Sequence, residues 1–255
     1  MAQSDTPLML LHDIAASLGL LTRLPIAVNT DLATRRGAAA AWAWPLAGAM
    51  VGALAWAAGG LALALGTPPA LAAGAALITA TMVTGAMHED GLADTADGFW
   101  GGWTIERRLA IMKDSHIGSY GVMALILITG LRWQALGAIF AATSAPWAII
   151  GIAALSRVPM AALMAMLPNA RGSGLAQSVG RPSARTALLA ATVGLALAVI
   201  GLGWLALPAT LGVALVSLAL AGVAKSKIGG QTGDILGASQ QLAEMVALLV
   251  VAAAL

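Results

Sequence analysis

Long apolar segments recur along this chain and are separated by short polar segments. Each is close to the roughly 20 residues that an α-helix needs to cross a bilayer. We identify about seven such segments, at 38–66, 71–87, 117–142, 147–167, 186–207, 209–224 and from 242 to Leu255. The predicted fold is therefore all-α, a single polytopic membrane domain over residues 1–255 with about seven transmembrane helices.

The composition indicates that lipid is the solvent for this chain. Hydrophobic residues make up 60% of its 255 residues and charged residues only 9%, whereas soluble domains average roughly 25% charged residues. A soluble fold of this length could not bury so much apolar surface. The absence of cysteine excludes disulfides and thiolate metal sites. No basic stripe with interleaved aromatic residues is present, so we expect no nucleic-acid partner.

The N-terminal segment is apolar but too interrupted to predict a span. Leucines recur at helical spacing through residues 7–28. Asp13 and Ser17 are predicted to face away from these leucines. The pattern predicts an interfacial helix that lies on the membrane surface.

The cations are concentrated on one side of the predicted bundle. With the N-terminus in the cytoplasm, all the polar segments fall on the cytoplasmic side: 23–37, 88–116, 168–185 and 225–241. Of the 13 lysines and arginines, only Arg132 and Arg157 lie outside these segments, in agreement with the positive-inside rule. This one-sided arrangement favours an enzyme that works at the cytoplasmic surface over a transporter, which needs access from both sides.

An acidic motif at 88–116 contains most of the chain's 11 acidic residues, namely Glu89, Asp90, Asp94, Asp97, Glu106 and Asp114. Asp90, Asp94 and Asp97 are spaced i, i+4, i+7, so on a helix their carboxylates fall within roughly 60° of arc. Like charges on one face repel unless a cation lies among them. Carboxylates without thiolates select a hard ion, Mg²⁺ or alternatively Mn²⁺, and Mg²⁺ usually binds phosphates as well. The motif therefore predicts a diphosphate substrate.

Charges inside or beside the predicted spans are further candidates. The polar run 113–116 stands directly before a span. Arg157 lies mid-span, where a charge is costly and by default functional, and we predict a phosphate or carboxylate partner for it. Arg132 lies two-thirds along its span and is predicted to reach the far interface.

The glycine-rich segment 225–241 is predicted to be a polar loop. Thr232 and Asp234 stand beside its glycine pairs and form a candidate second oxygen cluster. Glu244 follows as a lone carboxylate about one turn into the last predicted span.

Together these motifs resemble one known family, the adenosylcobinamide-GDP ribazoletransferases, also called cobalamin (5′-phosphate) synthases. Segments that resemble the family's motifs occur in the same order along most of the chain, at 21–25, 88–98, 111–118, 156–157, 170–174 and 230–238. The chain departs from the family pattern at Gln231 and lacks a tyrosine expected near 168–171. These departures concern specificity more than the reaction.

The resemblance implies a transferase that joins adenosylcobinamide-GDP to α-ribazole, or its 5′-phosphate, and releases GMP with Mg²⁺. The implied catalytic residues are Asp90, Asp94, Asp97, Asp114 and His116, with the proton acceptor left open among them. The implied metal ligands are Glu89, Asp90, Asp94, Asp97 and Asp234. The implied substrate- and phosphate-binding residues are Arg23, Lys113, Arg157, Arg171, Thr232 and Asp234. The other expected partners are the lipid bilayer and, as an option, further copies of the chain in a homo-oligomer.

Three other functions deserve comparison. A CDP-alcohol phosphatidyltransferase has an Ala-Arg pair after its first Asp-Gly, whereas here Ala93 is followed by Asp94. An aromatic prenyltransferase has two aspartate-rich motifs, and the second is weak in this chain. A transporter would place charges at mid-membrane in broken helices, whereas the acidic motif lies at the end of a span.

Overall fold

A computed structural model describes residues 8–142 and 146–255. Within these ranges the fold is helical apart from one isolated bridge between Asn169 and Gln231, which confirms the predicted all-α class. The α-helices are α1 (His12–Leu21), α2 (Thr30–Arg36), α3 (Trp44–Ala64), α4 (Pro69–Thr84), α5 (Met87–Gly101), α6 (Ile105–Ile111), α7 (Ser119–Ala142), α8 (Trp147–Leu155), α9 (Val158–Met166), α10 (Leu175–Val179), α11 (Ala184–Leu202), α12 (Ala206–Ile228) and α13 (Gly233–Ala252). The 3₁₀ helices are Gly37–Ala43 and Gly203–Leu205.

Several helical stretches are long and apolar enough to cross a membrane. In the described part of the chain there are 5, or up to 6 if the bent pair α4 and α5 forms one span: Thr30–Ala64, Ser119–Ala142, Trp147–Met166, Ala184–Ile228 and Gly233–Ala252, with Pro69–Gly101 as the bent pair. The protein is therefore a polytopic membrane protein, as predicted. The predicted count of seven is not confirmed, because α4 has only 16 residues and α11 continues into α12 as one run of 45 residues.

Small residues allow the spanning helices to approach closely. A Cβ on Gly52 of α3 would lie 2.7 Å from the Cβ of Ala153 in α8, closer than real Cβ atoms approach. In lipid the hydrophobic effect does not drive helices together, so close van der Waals packing of glycine and alanine stabilises their association. The abundance of these two residues therefore reflects the packing of the bundle.

The chain turns by 87° between α4 and α5. Gly85 ends α4 in the left-handed conformation, with φ of 66°, and Ala86 follows with φ of 58°. Among the described residues Ala86 is the one non-glycine with positive φ, a conformation in which a Cβ is crowded by the backbone. The acidic motif therefore does not continue the second predicted span but starts a separate helix in a new direction.

The N-terminal helix is shorter than the predicted segment 7–28, whose first residue lies outside the described ranges. α1 has only 10 residues. Asp13 and Ser17 are buried, whereas Leu11, one of the predicted leucines, is exposed. Asp13 accepts hydrogen bonds from Arg36 at 2.6 Å and from the indole of Trp42 at 2.7 Å. Because these polar groups have partners in the next segment, their side of the helix is held inside the protein.

The predicted polar loop 225–241 is mostly helical, so this prediction was wrong. α12 continues to Ile228 and ends at Gly229, whose φ of 76° is left-handed. α13 already begins after Thr232, whose hydroxyl accepts a hydrogen bond from the amide of Ile235 and caps the helix. The non-helical connection is therefore limited to residues 229–232.

The fourth predicted span is broken in its middle. α8 ends before Ser156, and α9 begins after Arg157 with Pro159 in its first turn. Proline has no amide hydrogen to donate to the preceding turn and disfavours helical conformation in the residue before it. The break places Arg157 between two half-helices inside the bundle.

The polar segments meet at one end of the bundle. The amide of Ala170 donates to the carbonyl of Gln231 at 2.8 Å, and the guanidinium of Arg108 donates to the carbonyl of Lys227 at 2.9 Å. Arg35 and Arg181 line the same cavity. These two contacts and the shared cavity connect all four segments that were predicted to lie on one side of the membrane.

Candidate active site at the crossing of α5 and α13

The three aspartates of the acidic motif lie on one helix, as their spacing predicted, but not in one environment. Asp90 is exposed, Asp94 is half-buried and Asp97 is buried. Their partners also differ, and only the first two contribute to the site described next.

α5 crosses α13 where each helix has a glycine. A Cβ on Gly91 would lie 2.8 Å from the carbonyl oxygen of Asp234 and 3.2 Å from the Cα of Gly237. Only residues without a Cβ permit this approach of two backbones. The crossing therefore brings Asp234, in the first turn of α13, next to the aspartates of α5.

Three carboxylates and one guanidinium interact at this crossing. Asp94 is repelled by Asp90 and Asp234 and attracted by Arg171. Arg171 Nη2 lies 2.9 Å from Asp234 Oδ2, and the hydroxyl of Thr232 donates to the same oxygen over 3.1 Å. One positive group among three carboxylates leaves net negative charge, which attracts a cation. Thr232 itself is buried and acts on Asp234 and the helix cap.

Two loops position Arg171 and Asp234. The side-chain oxygen of Asn169 accepts a hydrogen bond from the amide of Arg171 at 3.0 Å, which forms a tight Asx turn. The amide of Gln231 donates to the carbonyl of Pro168 at 2.8 Å and ties this turn to the start of α13. Gln231 therefore supports the site through its backbone atoms.

A cleft opens beside this crossing, with an empty volume of about 820 Å³ that includes a part open to solvent. We call Asp90, Arg171 and Asp234 its polar edge. We call the buried apolar side chains of its lining the apolar floor: Leu21, Trp44, Met160, Met164 and Leu236, from α1, α3, α9 and α13. His88 also lines the cleft. The cleft can therefore hold a ligand with one charged and one apolar part.

Asp97 binds the start of α7 and does not line the cleft. Its Oδ2 accepts the amide of Gly118 at 2.7 Å, and its Oδ1 accepts the amide of Gly121 at 2.9 Å. These amides lie at the positive end of the α7 dipole, so the carboxylate caps that helix. Its predicted roles in catalysis and metal binding stay predictions, and no described contact supports them.

Glu89 also turns away from the cleft. It belongs to a buried ionic cluster, which consists of Glu89, Arg132, Arg157 and Glu244. Arg132 lies 3.5 Å from Glu89 and 2.7 Å from Glu244, and Arg157 lies 3.3 Å from Glu244. Two guanidiniums and two carboxylates compensate each other. The cluster connects α5, α7, the α8–α9 break and α13.

The buried ionic cluster gives each of the two mid-span arginines a carboxylate partner. Arg157 has a carboxylate partner, one of the two predicted kinds, and its predicted phosphate binding gains no support from this contact. The prediction that Arg132 reaches the far interface was wrong, since the residue is only 2% exposed. The rule that a charge within a span is functional by default, applied to Arg157, would also have identified Arg132 and Glu244.

The predicted metal ligands are not gathered into one group. Among the described residues, no three side chains of histidine, aspartate or glutamate are arranged to hold a metal ion. Glu89 and Asp97 have the other partners given above. Asp90, Asp94 and Asp234 do interact with one another, so they are the members of the predicted set that could share an ion with substrate oxygens.

Asp114 and His116 form an exposed pair, with Nδ1 2.7 Å from the carboxylate. This hydrogen bond raises the pKa of the His116 imidazole and lowers the pKa of the Asp114 carboxyl. The pair follows Met112, which packs on Gly98 of α5. Gly98 lies about two turns along the helix from Asp90, roughly 12 Å. Neither member of the pair lines the cleft.

Lys113 and Arg23, predicted to bind phosphate, also lie outside the cleft lining. Lys113 is exposed in the same loop as the Asp114–His116 pair. The side chain of Arg23 runs along Gly85, and its amide donates to the carbonyl of Val83 at 2.7 Å. Arg23 therefore supports the corner between α4 and α5.

Comparison with known proteins decides the family, because the model of the cobalamin-5-phosphate synthase family matches residues 13–252. The chain belongs to this family. It is 44% identical over 255 residues to the adenosylcobinamide-GDP ribazoletransferase of Bradyrhizobium diazoefficiens. The alignment covers 98% of this chain and 96% of that relative. Proteins of the same name from Brucella canis and Brucella suis are 44% identical over 254 residues, 94% of this chain and 96% of each relative. No solved structure matches the chain.

Membership in the cobalamin-5-phosphate synthase family confirms the resemblance seen in the motifs. It also confirms the prediction of a membrane transferase of cobalamin biosynthesis. Four of the six segments that resemble the family's motifs, at 21–25, 88–98, 170–174 and 230–238, contribute residues to the cleft, whereas 111–118 and 156–157 do not.

Proposed function

We propose that the chain joins adenosylcobinamide-GDP to α-ribazole, or to its 5′-phosphate, and gives adenosylcobalamin, or its 5′-phosphate, together with GMP. The observation that carries the proposal is the cleft at the crossing of α5 and α13. There, acidic and basic groups suited to a diphosphate stand beside an apolar floor suited to an organic substrate. The relatives of this chain are named for the same transfer.

Mg²⁺ fits the carboxylates at the crossing of α5 and α13. Asp90 and Asp94 lie one helical turn apart, and together with Asp234 they offer carboxylate oxygens with net negative charge. In phosphoryl-transfer sites Mg²⁺ is typically held by one or two carboxylates, while substrate phosphates and waters complete its shell. When bound, the ion would stabilise negative charge on the diphosphate oxygens.

Arg171 is the residue that we assign to the diphosphate itself. Its ion pair with Asp234 and the Asx turn at Asn169 hold the guanidinium at the polar edge. Pre-positioned positive charge is effective in phosphoryl transfer, because this reaction depends mainly on orientation and charge stabilisation.

The transfer needs an acceptor for one proton. A ribose hydroxyl oxygen forms a bond to the phosphorus that stays on cobinamide, the bond from that phosphorus to the GMP oxygen breaks, and the hydroxyl proton is released. Asp90 lines the cleft, whereas Asp114 and His116 do not. We therefore assign proton acceptance to a carboxylate of α5.

The cleft lies at the end of the bundle where the polar segments meet, and these segments carry all the cations other than Arg132 and Arg157. Positive charge is concentrated in cytoplasmic loops of membrane proteins. We therefore place the active site at the cytoplasmic face of a bacterial inner membrane.

The decisive experiment uses purified protein in liposomes without any gradient. Addition of adenosylcobinamide-GDP, α-ribazole and Mg²⁺ should release GMP, and chelation of Mg²⁺ should stop the release. Asp90→Ala should abolish it, whereas the matched variant Glu106→Ala, at an exposed carboxylate of α6, should retain it. No GMP release from well-folded wild-type protein would refute the proposed reaction.

A further inference from the structure

We propose that the apolar floor binds the planar aromatic base of the acceptor nucleoside and that His88 donates a hydrogen bond to the free ring nitrogen of this base. The inference rests on the proposed function and deepens it, because it assigns one of the two substrates to one part of the cleft. It also defines the chemical class of base that the enzyme accepts.

The apolar floor has the composition of a site for a flat aromatic group. Met160 and Met164 present flexible thioethers, and sulfur makes favourable contacts with aromatic rings. Trp44 adds an indole ring against which a second ring can stack. All three side chains are buried within the helical bundle, so the surface is formed before a ligand arrives and little ordering is needed on binding.

His88 gives this surface a polar contact. His88 is one of the residues that line the cleft, it is only 1% exposed, and its enclosed Nε2 has no hydrogen-bond partner among the described residues. A buried polar atom without a partner is costly, and such atoms in native proteins call for an explanation. A ring nitrogen of a bound base would supply the missing partner, with the neutral imidazole as donor.

The pattern of polar groups selects among the aromatic parts of the substrates. A guanine ring carries donors and acceptors along both edges, and the apolar floor would leave most of them without partners. A corrin ring with its amide side chains is far larger than the floor. A benzimidazole-type base is bicyclic, largely apolar and has one free ring nitrogen, which matches the floor and His88.

This placement also orients the reacting groups. A base on the apolar floor directs its ribose toward the polar edge, where Asp90 and Arg171 stand. The attacking hydroxyl then lies next to the carboxylates and the diphosphate site. The floor would thus select the acceptor and position it.

Steady-state kinetics of a matched pair of variants on α9 tests the floor. Met164→Gln places a polar amide in the floor, whereas Met166→Gln changes a methionine that is 59% exposed. Met164→Gln should raise KM for α-ribazole about tenfold, the low end for one altered pocket contact, and leave KM for adenosylcobinamide-GDP unchanged. Met166→Gln should change neither. A rise in KM for the GDP substrate, or no change for either, would overturn the assignment.

A substrate analogue tests His88 even if variants of this buried residue fold poorly. The indole riboside that has a CH group in place of the free ring nitrogen should react with the wild-type enzyme at least about tenfold less efficiently than the benzimidazole riboside, as expected when a buried donor is left unpaired. His88→Leu should remove the difference between the two acceptors. Equal efficiency of both acceptors with the wild type would overturn the role of His88.

A binding measurement separates this inference from the proposed reaction. α-Ribazole alone, added to protein in detergent without the GDP substrate, should quench tryptophan fluorescence, and Trp44→Phe should remove most of that change. Guanosine should not produce it. Quenching without any later GMP release would refute the reaction but support the base site. GMP release without a Trp44-dependent signal, and with normal kinetics of Met164→Gln, would refute the base site alone.

Discussion

The guanidinium of Arg132 lies 2.7 Å from the carboxylate of Glu244, inside the helical bundle. This contact joins α7 to α13, and Glu89 of α5 also lies 3.5 Å from the guanidinium of Arg132. Glu89 immediately precedes Asp90 at the polar edge of the cleft. The buried ionic cluster therefore fixes the position of the helix that carries the reacting carboxylates.

Removal of Glu244 should destabilise the protein strongly. Glu244→Ala leaves Arg132 without its closest carboxylate and Arg157 without its carboxylate partner in the cluster. Loss of one partner from a buried pair typically costs about 3–5 kcal/mol. Thermal unfolding in detergent, followed by size-exclusion chromatography, should show a clearly lower midpoint than wild type. Glu106→Ala is the control, and equal midpoints for the two variants would contradict the stabilising role.

The helical form of the acidic motif was predictable because its information is local. Asp90, Asp94 and Asp97 are separated by one and two helical turns, and α5 indeed carries all three. The different environments and contacts of the three aspartates were not predictable. The amides that hold Asp97 belong to Gly118 and Gly121, and the pairing follows from how α7 starts after an intervening helix and loop.

Which helix packs against the acidic helix α5 could not be predicted from the sequence, for a similar reason. Asp234 was identified as an oxygen ligand, but its position beside Asp94 depends on the close crossing at Gly91 and Gly237. These glycines lie far apart in the chain, and neither shows in isolation which helix it will meet. The turn between α4 and α5 was missed because Ala86 gives no sign of its left-handed conformation.

Relief of backbone strain at Ala86 should stabilise the protein. The φ of 58° crowds its Cβ, and glycine adopts this conformation freely. Ala86→Gly should therefore raise the free energy of unfolding by about 1 kcal/mol. The control is Ala110→Gly, at an exposed position of α6, where glycine should cost about 1 kcal/mol instead. Chemical denaturation in detergent measures both changes, and a loss of stability in Ala86→Gly would show that the corner is not strained.

Substitution of two aspartates on α5 should separate structure from catalysis. Asp97→Ala removes the cap of α7 and should lower stability by about 1–2 kcal/mol. Asp90→Ala removes an exposed carboxylate and should leave the unfolding midpoint unchanged while GMP release is lost. Parallel measurements of unfolding and turnover distinguish the two effects. A stable Asp97→Ala protein that lacks activity would instead support the predicted catalytic role of Asp97.

The Asp114–His116 pair should respond to pH in a defined direction. Its hydrogen bond raises the pKa of His116 above the ordinary 6.5 and lowers that of Asp114 below 3.8. The pair is therefore fully formed between pH 3.8 and pH 6.5, the ordinary pKa values of the two groups. It is lost as pH rises through the raised pKa of His116 or falls through the lowered pKa of Asp114.

Asp114→Asn should return the pKa of His116 toward 6.5, because the charged acceptor that favours the imidazolium is gone. NMR titration of ¹³C-labelled histidine, with the signal assigned by loss in His116→Gln, measures this shift. Asp31→Asn changes an exposed aspartate in α2 and should leave the titration of His116 unaltered. An unchanged midpoint in Asp114→Asn would mean that the pair does not form in solution. A lowered midpoint with normal GMP release would show that the pair forms but does not accept the reaction's proton, in agreement with its place outside the cleft.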